Sequence, residues 1–282
     1  MTFLIHGATG AQGAPVLAAL LPSAPDTRAA VRDAAAYSGP GTAVSVDLSS
    51  ADSLAAAYAD VDGVFLHLPI GSPAQQATQA AAVVEAVRRA RPGRMVLSTS
   101  GARVDVPGDD DSPFTVITRG IREAGVSLAV VEPRLYLENL LMPIVVGPAR
   151  EEGVLRYPLR DGYAVSWSSH LDVADVVVRL LEDASVTGVV GIGALPALTG
   201  ADLAAGFAEH LGRDVRYEPL TPDEFGERII PLFGEAGARP VIEAYRWRAT
   251  QEADAVDEAT SAQTRLGLTP RSVRAWLRDI GA

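Results

Sequence analysis

The sequence predicts an α/β protein: a doubly wound parallel sheet with a smaller C-terminal lid region. Three observations carry that expectation. Short β-branched or apolar runs alternate with alanine-rich stretches of helical periodicity through the first half of the chain. A glycine-spaced turn, GATGAQG, lies between the first such run and the first such stretch. After Pro133 the alternation loses its regularity, and all three tryptophans, Trp167, Trp247 and Trp276, fall in that later part.

Taken in order, FLIH reads as a strand, and GAPVLAALL after the glycine turn reads as a helix. RAAV and AVSV are the next strands, ADSLAAAYA a helix and GVFLHL a strand. Ser72-Pro73-Ala74-Gln75 supplies a cap, a proline at the first helical position and a capping-box glutamine for the long helix that runs to Arg91-Pro92-Gly93. MVLST, the helix PFTVITRGIREAGV and the strand VSLAVV complete the regular part. Leu137–Val146 reads as one apolar helix, followed by VLRYPL, AVSW, the helix DVADVVVRLLE and the strand GVVGIG. Thr199 opens ADLAAGFAEHLG, which Gly212 stops; VRYEPL is a strand, Thr221-Pro222-Asp223-Glu224 a capping box and WLRDI a short helix. The division expected is a nucleotide-binding domain at 1–150 and a lid region at 151–282.

With 282 residues, 48% hydrophobic and 21% charged, the chain can bury a substantial core. A formal charge of −11 argues against binding to nucleic acid or anionic membranes, and no apolar run approaches the ~20 residues of a membrane span. With no basic segment ahead of its first apolar run, the protein is expected in the cytoplasm. There is no lysine and no cysteine, which excludes Schiff-base chemistry, a phosphate-loop lysine and thiolate catalysis. His6, His67, His170 and His210 show no metal-ligand spacing.

In a strand-turn-helix setting, glycines at Gly7, Gly10 and Gly13 let backbone N–H groups approach a pyrophosphate at a helix N-terminus, as in a Rossmann domain. The second strand ends at Arg32-Asp33, where an arginine binds the 2′-phosphate of NADP and an acidic residue the ribose diol of NAD. Arg32 comes first and favours NADP; Asp33 keeps NAD open. Asp47 and Leu48 are placed to flank an adenine, with helix capping as the alternative for the aspartate. His67, at the end of the fourth strand, either faces a substrate or packs beneath the next helix. Ser169, His170 and Asp172 are so close in sequence that they read as a helix start.

GATGAQG, VRD, VDL, MVLSTSG and above all GVSLAVVEPRLYLENLL resemble the NmrA-like branch of the atypical short-chain dehydrogenases/reductases, and the likeness continues through SHLDVADVV to LGLTPRSVRAWL. The resemblance implies NADP(H) binding. It assigns Gly7, Thr9, Gly10, Ala11, Gln12 and Gly13 to the pyrophosphate and Arg32 to the 2′-phosphate. It runs Leu68 and Pro69 past the ribose, sets Ser98 and Ser100 near the nicotinamide, and passes Pro133–Leu135 under the carboxamide. Tyr136, Glu138 and Asn139 follow at the substrate mouth. The resemblance also returns DVADVVVRLLE and GVVGIG to the first domain.

Ordinary short-chain dehydrogenases use a Tyr-x-x-x-Lys pair as proton donor, and here Phe114 and Thr118 stand at the nearest matching spacing. Arg119 is no substitute, since a guanidinium is a fixed charge. The function expected is therefore an NADPH-dependent reductase of a ketone or quinone on a flat aromatic substrate, of the kind found in secondary metabolism. Ser100 and His67 are its catalytic candidates, and Tyr136, Asn139 and Trp167 its substrate contacts. The alternative is a non-catalytic NADP-binding redox sensor.

Overall fold

The computed structural model describes residues 1–282. Its first strand, β1 (Phe3–His6), is buried at all four positions and feeds α1 (Gly13–Leu20). β2 (Arg28–Val31) and β3 (Thr42–Ser45) follow, then α2 (Ala51–Tyr58), whose N-cap Ser50 accepts from the Ser53 N–H. After β4 (Gly63–His67) comes α3 (Pro73–Ala90), with Ser72 accepting from the Gln75 N–H and Arg91 closing the helix in the left-handed region. Only that half of the expected capping box forms. β5 (Arg94–Ser98), α4 (Pro113–Glu123) and β6 (Ser127–Pro133) complete the regular part.

Beyond it lie β7 (Leu135–Tyr136), a 3-10 turn at Leu137–Leu141 and α5 (Pro143–Glu151). The single helix expected at Leu137–Val146 is thus two pieces. Proline disfavours helical backbone in the residue before it, and Met142 is accordingly extended at φ −54, ψ 134 while Pro143 opens the next helix. β8 (Val154–Tyr157), β9 (Trp167–Ser168), α6 (His170–Glu182), β10 (Gly188–Ile192), α7 (Gly200–Leu211) and β11 (Arg216–Pro219) come next. α8 (Pro222–Ala249) is broken at Gly234, and the chain ends with α9 (Ala262–Leu266) and α10 (Val273–Asp279).

Two compact units result. The first comprises Met1–Pro133, His170–Ile192 and Ala259–Leu268; the second comprises Arg134–Ser169, Gly193–Glu258 and Thr269–Ala282. In the first, seven parallel strands run in the order β3-β2-β1-β4-β5-β6-β10, with Leu4 of β1 paired to Arg28 on one side and Val64 on the other. The order reverses beside β1, and the crevice at the carboxyl ends of strands at such a switch is where open α/β sheets bind ligands. The first break falls at Pro133 instead of near residue 150. Leu135 pairs with Trp167, and Val145 and Ala149 of α5 join Leu155 in the second unit's apolar core, so residues 134–150 bury their faces there. That core centres on Tyr157, with Trp167, Phe225 and Tyr245 rings 5.5–5.7 Å from it.

The first unit buries titratable groups that set its response to acid. His6 is 2% exposed, its Nε2 is 3.0 Å from the Tyr58 hydroxyl, and loss of hydration, with His67 nearby, lowers its pKa to about 3. Burial lowers His170 to about 4. Both stay neutral in the fold but protonate near pH 6.5 when unfolded, so unfolding takes up protons between those limits. Stability should be fully present above pH 6.5 and fall as the pH drops below it, by about 1.4 kcal/mol per pH unit for each histidine. Urea unfolding followed from pH 7.5 to 5 should show this loss; a midpoint that does not move would contradict it.

Candidate functional site

The turn after β1 folds back on itself at van der Waals limits. The Gly10 N–H donates to the Gly7 carbonyl at 2.7 Å. A Cβ on Gly13 would lie 2.2 Å from that same carbonyl oxygen, and one on Gly7 would lie 2.2 Å from His67 Nε2. Gly7 also holds φ at +64, a conformation that favours glycine. His67 therefore seats its ring against the Gly7 backbone. Its Nε2 is buried without a hydrogen-bond partner, its Nδ1 is 3.4 Å from the Leu68 carbonyl oxygen, and desolvation lowers its pKa. Nothing protonates it at neutral pH.

Beside the turn lies a cavity of about 670 Å³, walled entirely by the first unit. Gly7, Thr9, Arg32, Asp47, Leu48 and Pro69 all line it, as do His6, Ile70 and Gln79. Arg32 projects from the end of β2, is exposed, and its guanidinium has no partner in the protein. Asp33 is engaged in its own turn: its carboxylate accepts the N–H groups of Ala35 at 2.9 Å and Ala36 at 3.3 Å. Asp47 is likewise turned locally, accepting from the Ser49 N–H at 2.8 Å, and the α2 cap is Ser50 instead.

Gln12, Ser98 and Ser100 form a closed ring across 86 residues of sequence separation. The buried Ser98 hydroxyl donates to Gln12 Oε1 at 2.8 Å, Gln12 Nε2 donates to Ser100 Oγ at 2.9 Å, and the Ser100 N–H reaches Ser98 Oγ at 3.4 Å. Turning the Gln12 amide over would strand the proton of Ser98, so the ring runs one way. The O–H of Ser100 is left free to donate outward, exposed, on a residue at φ +55. That conformation is uncommon for serine and is held by its surroundings. The Thr99 N–H donates to the Val131 carbonyl at 3.0 Å, and the Thr99 hydroxyl to the Ala102 carbonyl at 2.7 Å. The Val104 N–H donates to buried Glu132 at 2.9 Å.

Other expected residues fall elsewhere. Gly10, Ala11 and Gly13 shape the turn, Leu68 is buried in the sheet core, and Pro133 ends β6. On α4, Phe114 and Thr118 are both buried, at the positions where the Tyr-x-x-x-Lys spacing would put its pair. In the second unit Tyr136 and Asn139 are half-buried. Asn139 hydrogen-bonds the Tyr157 hydroxyl, which also meets that of Tyr245; burial pushes both phenols up. Trp167 is 1% exposed with its ring edge-on to Tyr157, a packing position in that unit. Ser98, Ser100 and His67 are named by the sequence, but the hydrogen-bond ring, the seating of His67 on Gly7 and the places of Ile70 and Gln79 carry no local signal, because each depends on which distant segment lies alongside.

The arrangement fits a dinucleotide with a phosphorylated ribose: a turn that any Cβ would fill, an unpartnered guanidinium on the cavity wall, and a buried unpaired amide at Gln79.

The NAD(P)H azoreductase of Xenophilus azovorans is 32% identical over 228 residues, covering 78% of each chain. Among solved structures, the triphenylmethane reductase of Citrobacter sp. complexed with NADP(H) superposes with a TM-score of 0.79 at 18% identity, covering 99% of each chain. An NADPH-dependent quinone oxidoreductase from Escherichia coli, complexed with NADPH, gives 0.75 at 20% identity over the whole of both chains. These two share the fold. The family model described as NmrA-like matches residues 1–277, and the chain belongs to the NmrA-like family.

Proposed function

We propose that this protein is an NADPH-dependent reductase that delivers hydride to a flat, conjugated acceptor, a quinone or an aromatic ketone. The observation that carries the reading is the Gln12–Ser98–Ser100 ring, which presents one oriented hydroxyl at the carboxyl end of β5 beside the glycine turn. The turn residues from Gly7 to Gly13 would hold the pyrophosphate, Arg32 the 2′-phosphate, and Asp47 and Leu48 the adenosine end. Leu68, Pro69 and Pro133 would bound the rest. The bound cofactor supplies the hydride.

Ser100 then donates a hydrogen bond to the oxygen on which negative charge gathers. A serine is a weak acid, and no lysine exists to strengthen it. The site therefore suits acceptors whose reduced form is an anion already spread by conjugation, where positioning and one hydrogen bond suffice. Quinones meet that condition better than isolated ketones. The azo, triphenylmethane and quinone compounds in the names of the similar proteins are all conjugated acceptors. His67, neutral and wedged on Gly7, braces the turn instead of moving a proton. Tyr136 and Asn139 are the second unit's candidates for substrate contact, and Trp167 packs against Tyr157 in that unit's core.

Two substitutions test this. Arg32→Ala removes a charge-assisted phosphate contact worth about 1.5–3 kcal/mol, so it should weaken NADPH roughly 10- to 150-fold in calorimetry while leaving NADH nearly unchanged. Equal weakening of both cofactors would show that Arg32 does not read the phosphate. Ser100→Ala should slow NADPH oxidation by a quinone about 10- to 10³-fold at unchanged NADPH affinity. If quinones, azo dyes and aromatic ketones all leave NADPH unoxidised while both redox forms bind equally tightly, the protein is a redox sensor and the reductase reading fails.

A further inference from the structure

On the wall of the 670 Å³ cavity, Gln79 of α3 is 4% exposed, yet its carboxamide has no hydrogen-bond partner in the protein and its Oε1 is wholly buried. A buried amide left unpaired costs about 1–3 kcal/mol, so its retention there points to a ligand group that pairs it. The same cavity has a second anomaly. Ile70, in the loop that leads into α3, is fully exposed at 105% of its reference area, and the loop is pinned by Gln76 Nε2 donating to the Pro69 carbonyl at 3.0 Å. An apolar side chain held out into the cavity favours the face of a flat ring, and an amide favours that ring's hydrogen-bonding edge. Half-buried Leu48 adds further apolar wall.

A flat ring with a polar edge, bound near the Arg32 guanidinium, is a purine. Adenine offers an amino donor at N6 beside an acceptor at N7, and the glutamine amide, with its side-chain torsions turned to bring Oε1 out of the wall, matches that pair with one acceptor and one donor. Hypoxanthine offers two acceptors on the same edge, so the amide can satisfy only one of them whichever way it is turned. We propose that Gln79 reads the N6/N7 edge of the cofactor's adenine and selects it over a 6-oxo purine. The assignment rests on the NADPH reading above and adds a specificity-determining residue to it. Asp47, lining the same cavity, is the competing reader, but one of its oxygens is already taken by the Ser49 N–H.

The test is a binding measurement on the full-length protein, comparing NADPH with its hypoxanthine analogue, by calorimetry or by quenching of protein fluorescence. Wild type should bind NADPH at least tenfold more tightly than the analogue. Gln79→Leu, and independently Gln79→Met, should weaken NADPH about tenfold and bring the two ligands within about twofold, with thermal unfolding confirming a folded protein. Asp47→Asn should keep the discrimination. Equal affinities in wild type would overturn the proposal, as would discrimination that survives both Gln79 variants or disappears with Asp47→Asn. Failure of wild type to bind NADPH at all is a different result, which removes the cofactor reading and this assignment with it.

Discussion

The constraint on which the first unit depends is the tightness of the turn between β1 and α1. Gly13 opens a helix, where alanine is intrinsically better than glycine by about 1 kcal/mol. A methyl group there would nonetheless meet the Gly7 carbonyl oxygen at 2.2 Å and the His6 oxygen at 2.4 Å. Backbone atoms cannot step aside as a side chain end can, so the collision outweighs the propensity. The closeness brings the N-terminus of α1 against the end of β1, and it sets Gln12 where its side chain meets β5 instead of capping its own helix.

From that one placement the geometry of the candidate chemistry follows. Gln12 is the N-cap residue of α1, yet it makes no side-chain cap hydrogen bond; its amide is committed to two serines on a distant strand and loop. The turn that would grip a pyrophosphate and the hydroxyl that would face a reacting oxygen are therefore one rigid assembly. A shift of either would open the ring and expose Ser98, which is fully buried, to an unsatisfied hydrogen bond. Reactions that depend on positioning more than on a strong acid need this kind of fixed donor.

Much of the fold was legible because its signals are local. Apolar runs of strand length, helix starts at Ser72, Thr199 and Thr221, and the glycine spacing each announce themselves within a few residues, whereas the cap of α2 falls on Ser50 and not on Asp47. The break at Met142–Pro143 was also a local signal, outweighed in the reading by the apolar character of the segment. What the sequence hid is non-local. The second unit begins at Arg134 because a two-residue strand at Leu135 pairs with Trp167, and no periodicity is visible in so short a piece. Trp167 reads as a pocket aromatic in sequence, but the ring it packs against is the buried Tyr157. Gln79 looks like any polar residue on a helix until its lack of partners is seen.

The proposed binding of an anionic cofactor by an acidic chain raises an electrostatic question, since a formal charge of −11 repels phosphate. Screening decides it. At physiological ionic strength charges more than about 8 Å apart are largely masked, so the local set of groups governs binding and the total does not. In the cavity that set is Arg32 without a partner and Asp47, one of whose oxygens accepts the Ser49 N–H, while Asp33 beside Arg32 is tied to the N–H groups of its own turn. Because every basic residue in the chain is arginine, the group offered to a phosphate is a planar fork able to donate two parallel hydrogen bonds. A lysine at the same place would supply charge without that geometry. On the proposed reading the absence of lysine thus acts in opposite directions at the two ends of the site: it would leave the reacting oxygen with a weak donor, and the phosphate with a selective one.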